Sequence, residues 1–148
     1  MSREVRMVPP GWEHPRNADG GYVPLHGQTY EERLAELAEL RAEYGEVDDE
    51  EQRRYEDRAG CWPTFAPGTA TRYVMYETCT EGTPISPPCA TPEALARWLA
   101  DHGASSFGSR TATYAQWLAT IRAGGAVSAV LGADGLVSGV EFQAGGGK

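Results

Sequence analysis

The sequence predicts an α+β domain in which a small antiparallel sheet packs with two short helices, and three observations predict it. TRYVMYETC (71–79) is rich in aromatic and branched residues and reads as a strand. Two segments with apolar periodicity and cap residues, 92–102 and 114–123, read as helices. AVSAVLGADGLVSGVEF (126–142) alternates about an Asp-Gly pair and reads as a hairpin. At 148 residues a single domain over 1–148 is expected, made of a packed irregular arm (1–28), an acidic helical insertion (29–60) and an α+β core (61–148).

In the arm, Pro9, Pro10, Pro15 and Pro24 forbid a long helix, yet Val5, Met7, Val8, Trp12, Tyr22 and Leu25 are too many apolar residues for a free tail. Arg3–Val8 is expected as a short edge strand. Asn17 to Gly21 is expected as a turn, because Asn, Asp and Gly tolerate the left-handed backbone of a tight reversal. In TYEERLAELAELRAEY, Thr29 and Glu32 form a capping-box pattern that starts a helix from Tyr30 to Tyr44. Tyr30, Leu34, Leu37, Leu40 or Arg41, and Tyr44 give it a narrow apolar stripe. Gly45 interrupts, and a second, polar helix follows from Asp48 to Arg58, within an acidic helical segment of 30–58. Its large apolar residues are only Val47 and Tyr55, so 45–60 is expected to project.

CWPTFAPGTA is a connector anchored by Trp62 and Phe65. The strand at 71–79 has bulk on both faces, Tyr73 and Met75 against Val74 and Tyr76, and is expected to be central and covered on both sides. After it, Thr83-Pro84 and Ser86-Pro87-Pro88 stiffen an extended link by fixing φ. Thr91, Pro92 and Glu93 then supply a hydroxyl cap, a proline where the missing N–H costs nothing, and an acid at the positive helix end. Leu95, Trp98 and Leu99 are the buried stripe of that helix. GASSFGSRTATY turns the chain, with Phe107 tucked under the helices. Thr113 and Gln116 cap the next helix, Trp117, Leu118 and Ile121 face inward, and Gly124 and Gly125 stop it. In the hairpin, Asp134-Gly135 is the expected turn, Val127, Ala129 and Leu131 share a face, and Leu136, Ser138, Val140 and Phe142 alternate.

Charge is concentrated. Between Thr29 and Gly60 lie twelve acids against five arginines, a net of −7 out of the chain's −8. Acidic surface repels phosphate backbones, so direct nucleic-acid binding is disfavoured and basic protein surfaces become the fitting partners. No apolar run approaches the length that spans a bilayer, and the N-terminus carries no secretory pattern. With three cysteines, an odd number, a reducing cytoplasm is expected.

Catalytic signals are weak. Cys61, Cys79 and Cys89 lack the close pairs of structural zinc sites; a metal set of these with His102 rests on no more than any four Cys and His residues would supply. A cysteine nucleophile needs a histidine base, and His14, His26 and His102 stand in no nucleophile signature. The single lysine is Lys148, which leaves GASSFGSR without a phosphate-loop ending. Glu13 and His14, with Glu77 and Glu81, are groups of the general acid-base type, but a proline-flanked histidine reads as a surface turn residue. No cofactor is expected. The enzyme alternative is a small hydrolase or nucleotide-acting protein using Cys79, His102 or Arg110.

The blocks REVRMVPPGWEHPRNADGGYVPL, YVMYETCTEGTPISPPCATPEALARWLADHGASSFGSRTATYAQWLATI and VSGVEF resemble a widespread family of small proteins encoded by tailed bacteriophages and prophages. They cover a little over half of the chain and leave out the acidic helices. The resemblance carries no catalytic residues over. It implies an origin, a phage accessory protein acting in the bacterial cytoplasm; the concentrated negative charge, small size and absence of a catalytic signature add the expectation of a host protein or defence complex with a basic surface as partner. The concrete form of that expectation is an anti-CRISPR-like inhibitor that mimics nucleic acid through Glu43, Glu46, Asp48, Asp49, Glu50, Glu51, Glu56 and Asp57. A virion or assembly component, using the stripe of the first helix as a subunit interface, is the further alternative.

Overall fold

The computed structural model describes residues 2–78, 82–126, 129–132 and 135–141. Its elements run β1 (Arg3–Val8), α1 (Tyr30–Tyr44), α2 (Asp49–Glu56), β2 (Arg72–Glu77), β3 (Thr83–Pro84), α3 (Pro92–Asp101), β4 (Ser105–Phe107), β5 (Arg110–Thr111), α4 (Tyr114–Ala123), β6 (Gly125–Ala126), β7 (Ala129–Gly132) and β8 (Gly135–Ser138). The fold is α+β, as the sequence predicts. Two compact units divide the chain, one of Met1–Val23 with Phe65–Lys148 and one of Pro24–Thr64. Among the described residues no helix is long and apolar enough to cross a membrane.

The larger unit is built on a four-stranded antiparallel sheet in the order β3-β2-β1-β6. β1 pairs with β2 from Arg3↔Glu77 to Val8↔Arg72, and Val5 N–H donates to Gly124 O at 2.9 Å on the other side. The N-terminal strand is therefore interior, a correction to the expected edge strand. Its two arginines are both buried with partners. The Arg3 guanidinium donates to Ser105 O at 2.9 Å and lies 3.8 Å from the Glu77 carboxylate. Arg6 Nε donates to Glu4 at 2.8 Å, and its guanidinium sits 4.5 Å over the Tyr76 ring. A guanidinium with enough donors satisfied can enter a core that an ammonium would avoid.

β2 is covered on both faces, with Val74, Met75 and Tyr76 all buried. Beyond β3 the proline-rich link stays alongside it. Ile85 N–H donates to Met75 O (2.9 Å), Met75 N–H to Ser86 Oγ (2.9 Å), and Tyr73 and Cys89 exchange two backbone bonds of 2.8 and 2.9 Å. Pro87 and Pro88 have no N–H to offer a further strand, and the Ser86 hydroxyl stands in for a main-chain acceptor. Residues 83–89 are thus an interrupted edge strand, the one place in a sheet that tolerates such prolines.

α3 and α4 cover the face of the sheet that carries Tyr73 and Met75. Thr91 Oγ1 accepts from Ala94 N–H at 3.0 Å, and the Thr113–Gln116 box closes with bonds of 3.2 and 2.8 Å. Met75, Leu95, Ala96, Leu99, Trp117, Ile121 and Val140 form the core, with Val5, Ile85, Trp98 and Leu118 packed against it. Between the helices, β4 and β5 make a small hairpin where a plain turn was expected. Its polar sequence carries no apolar alternation to announce it.

The C-terminal hairpin forms, but among the described residues β7 and β8 pair with each other and it is β6 that extends the main sheet. Gly132 pairs with Gly135, so Gly135 belongs to β8 and not to the expected Asp134-Gly135 turn. Cys79, Val127, Asp134 and Phe142 lie outside the described residues, as do the side chains of Ala129, Leu131 and Leu136. Ser138 and Val140 are buried.

In the smaller unit α1 has the expected bounds. Thr29 Oγ1 accepts from Glu32 N–H at 3.2 Å, but the Glu32 carboxylate takes the Thr29 hydroxyl (3.1 Å) instead of completing the box at the backbone. The apolar stripe is narrower than its spacing suggests: Leu37 is buried, while Leu34 and Tyr44 are exposed, Tyr44 at 70%. α2 ends at Glu56, short of Arg58, because the extended Asp57 turns its carboxylate to Ala59 N–H at 2.9 Å. It buries no residue. Tyr55 OH donates to Glu36 at 3.3 Å, Arg33 bonds Arg54 O, and Arg58 stacks 4.1 Å over Tyr30, which joins α2 and its flank to α1. Bonds from His26 N–H to Gly60 O (2.9 Å) and Trp62 N–H to Gln28 O (2.8 Å) tie the ends of this unit together.

Candidate functional site

The smaller unit holds the charge. All twelve acids of 29–60 and all five arginines fall within Pro24–Thr64, which leaves the rest of the chain at −1. The candidate acids Glu43, Glu46, Asp48, Asp49, Glu50, Glu51, Glu56 and Asp57 are every one exposed. Half of them already have local work. Asp48 caps α2 by accepting from Glu51 N–H at 2.8 Å, Glu50 pairs with Arg54 at 3.6 Å, Glu56 accepts from Gln52 at 3.0 Å, and Asp57 closes the turn at Ala59. The carboxylates of Glu43, Glu46, Asp49 and Glu51 have no hydrogen bond or ion pair among the described residues. An exposed pair such as Glu50–Arg54 contributes little to stability, so the unit presents its charge outward at small structural cost.

Of the alternative catalytic residues, Cys79 lies outside the described residues, and His102 and Arg110 are each engaged by other partners. Cys61 and Cys89 are free, half-buried thiols. Burial pushes the Cys89 thiol up from its ordinary range, which disfavours the nucleophilic thiolate. His102 closes α3, donating from Nδ1 to Trp98 O at 2.8 Å and stacking on the Trp98 ring at 4.1 Å. Arg110 is held by two bonds to the Glu141 carboxylate, of 3.1 and 3.3 Å. Among the described residues no cluster of His, Cys, Asp and Glu has the makings of a metal site.

A cleft that the sequence did not announce lies on the other face of the sheet, the one carrying Val74 and Tyr76. Its volume is about 230 Å³, and Trp12, His14, Tyr22, Tyr76 and Pro84 are among its walls. Residues 15–23 reach it by a tight reversal, with Asn17 N–H to Gly21 O (2.7 Å) and Val23 N–H to Pro15 O (3.0 Å), as the turn signal predicts. His14 is buried here, a correction to its reading as a surface residue. Its Nε2 meets the Val23 carbonyl at 2.5 Å, so that nitrogen carries the proton. Nδ1 therefore accepts from the Tyr76 hydroxyl at 2.9 Å. Trp12 and Tyr22 pack edge-on against the imidazole, at 5.7 and 5.4 Å between ring centroids. No periodicity marks a ring inserted from an irregular arm; the only available signal is the density of aromatic residues in GWEHP and GGY.

Burial holds the His14 pKa below 6.5, the nearby Arg6 and Arg16 add to this, and the Val23 carbonyl opposes it. Burial likewise raises the Tyr76 phenol. An imidazole that stays neutral in the fold and titrates freely when unfolded binds fewer protons in the native state. Its contribution is full above pH 6.5 and is lost as pH falls from there through the lowered folded value. Glu31 and Glu141 are also held low, Glu31 by backbone and Thr64 hydrogen bonds and Glu141 by Arg110 and Ser138, so their losses fall below 4.5. Urea midpoints measured through the interval from about pH 7 to about pH 5 are expected to drop for the wild type and to stay flatter for His14→Gln, whose amide can serve both partners. Equal slopes in the two proteins would remove His14 from the acid response.

No family model, curated protein or solved structure matches the chain, so the reading of both surfaces rests on their own chemistry.

Proposed function

We propose that this chain is a phage-encoded accessory protein of the bacterial cytoplasm that binds a host protein through its acidic unit and alters that protein's activity. In its most concrete form it inhibits a defence nuclease by occupying the basic channel that holds nucleic acid. The observation that carries the reading is the placement of nearly all the net charge on one compact unit whose eight candidate acids are all exposed. Charge arranged this way steers association with a basic surface and fixes the register of docking. Leu34 and Tyr44, exposed on α1 of the same unit, add apolar contact area to it.

Affinity purification of the tagged chain from bacterial cells tests this, with a variant carrying Asp48→Asn, Asp49→Asn, Glu50→Gln and Glu51→Gln alongside. Asparagine at 48 keeps the helix cap, because it accepts from the same amide as well as aspartate does. The wild type is expected to retain a partner that elutes at raised salt. For that purified partner the variant's affinity falls about tenfold or more, with a shallower salt dependence, since each charge at an interface rim contributes about 0.2–1 kcal/mol. Unchanged affinity and salt slope would take the acidic unit out of the mechanism.

A further inference from the structure

A second cleft, of about 340 Å³, adjoins the one beside His14 and is lined by Pro10, Gly11, Trp12, Glu13, Arg72 and Pro88. Trp12, Glu13 and Pro88 line both clefts, so the two adjoin and are treated as one groove. Rings and prolines, side chains with little rotamer freedom to lose when a ligand settles on them, make up much of its walls. Trp12 is itself braced edge-on against Phe65 at 5.9 Å and against His14.

The shape and chemistry select an extended peptide. A polyproline-type segment is already extended, carries no internal hydrogen bonds and docks on rigid aromatic grooves with a small entropy loss. A strand adding to the sheet is the wrong occupant, because the neighbouring edge at 83–89 contains Pro84, Pro87 and Pro88, which have no N–H for pairing. Charge adds a second constraint. The groove carries Arg16 and Arg72 against Glu13, a net of +1 within a unit of net −1. Arg16 is occupied by Gly20 O at 2.7 Å and the Tyr22 hydroxyl at 2.9 Å. Arg72 is half-buried and its side chain has no hydrogen bond or ion pair among the described residues, so its guanidinium is open to a carboxylate. We propose that the groove binds an extended, proline-containing peptide segment of another protein, with an acidic residue beside the prolines paired to Arg72.

Fluorescence anisotropy on the full chain tests this with labelled oligoproline peptides flanked by glutamate or by lysine, and with a glutamate-flanked Gly-Ser peptide. The glutamate-flanked oligoproline is expected to bind saturably, and at least about tenfold more tightly than either of the others. Trp12→Ala weakens it at least about tenfold. Arg72→Gln abolishes the preference for glutamate over lysine. The four-fold neutralised acidic variant binds as the wild type does, which separates failure here from failure of the acidic-unit reading. Should Trp12→Ala not fold by circular dichroism, Tyr22→Ser at an exposed position serves in its place. Absent saturable binding, equal binding of the Gly-Ser peptide, a lysine preference, or indifference to Trp12 and Arg72 would each overturn the proposal. Saturable binding of indole acetate without the peptide would also overturn it, assigning the groove to a small ligand.

Discussion

Trp117→Ala is expected to lower the folding stability by about 3–5 kcal/mol, a large part of what a domain of this size possesses. Trp117 has 0% exposure and sits in one cluster with Met75 from β2, Leu95 and Leu99 from α3, and Val140 from the C-terminal region. Removing its side chain takes away the group that these elements share, and close-packed neighbours refill such a space only in part. Urea denaturation followed by circular dichroism measures the loss. A change under about 1 kcal/mol would mean that the core collapses around alanine, contrary to the packing described. Trp117→Phe gives the finer test. The indole Nε1 has no hydrogen-bond partner among the described residues. Phenylalanine removes that buried polar atom together with some volume, so its cost is expected to be well below that of alanine.

Gly125→Ala is expected to cost about 1–3 kcal/mol or more, although glycine to alanine is among the smallest of substitutions. A Cβ at this position would lie 2.4 Å from Arg3 O and 3.3 Å from Glu4 Cα. Both atoms are main chain, so no side chain can swing aside. β6 must separate from β1, and the bond from Val5 N–H to Gly124 O goes with it. Faster hydrogen exchange at the Val5 amide, together with a lowered urea midpoint, is the expected signature. Gly124→Ala is the contrasting case. Gly124 has φ +89° with open space around it, so alanine there meets only the left-handed penalty of about 1–2 kcal/mol and leaves the Val5 amide protected. If Gly125→Ala left both stability and exchange unchanged, the close approach of β6 to β1 would be refuted.

These neighbouring glycines illustrate how far local reading reaches. Both look like a helix stop in the sequence, and Gly124 is one. Gly125 is glycine for a different reason, a backbone contact with a strand more than a hundred residues earlier, which no local pattern records. α1, α3 and α4 were legible because a cap residue and an apolar period are properties of a few consecutive residues. The candidate acids were legible as a composition, and their exposure followed from it. The aromatic cleft was not legible, since it gathers an irregular arm, a strand and a proline-rich edge that are neighbours only in space.

By itself, then, the sequence determined the α+β class, the helix starts, a double-sided strand within 71–79 and the segregation of negative charge between Thr29 and Gly60. Each is set by interactions within a turn or two of the chain, or by composition alone. Only the tertiary structure decided that Arg3–Val8 is an interior strand, that residues 83–89 form the sheet's edge, and that His14 is buried against Tyr76. In each case a residue that is polar or breaks regular structure finds its partner far along the chain. The free energy that makes the arrangement tolerable is the hydrogen bond or packing contact with that partner.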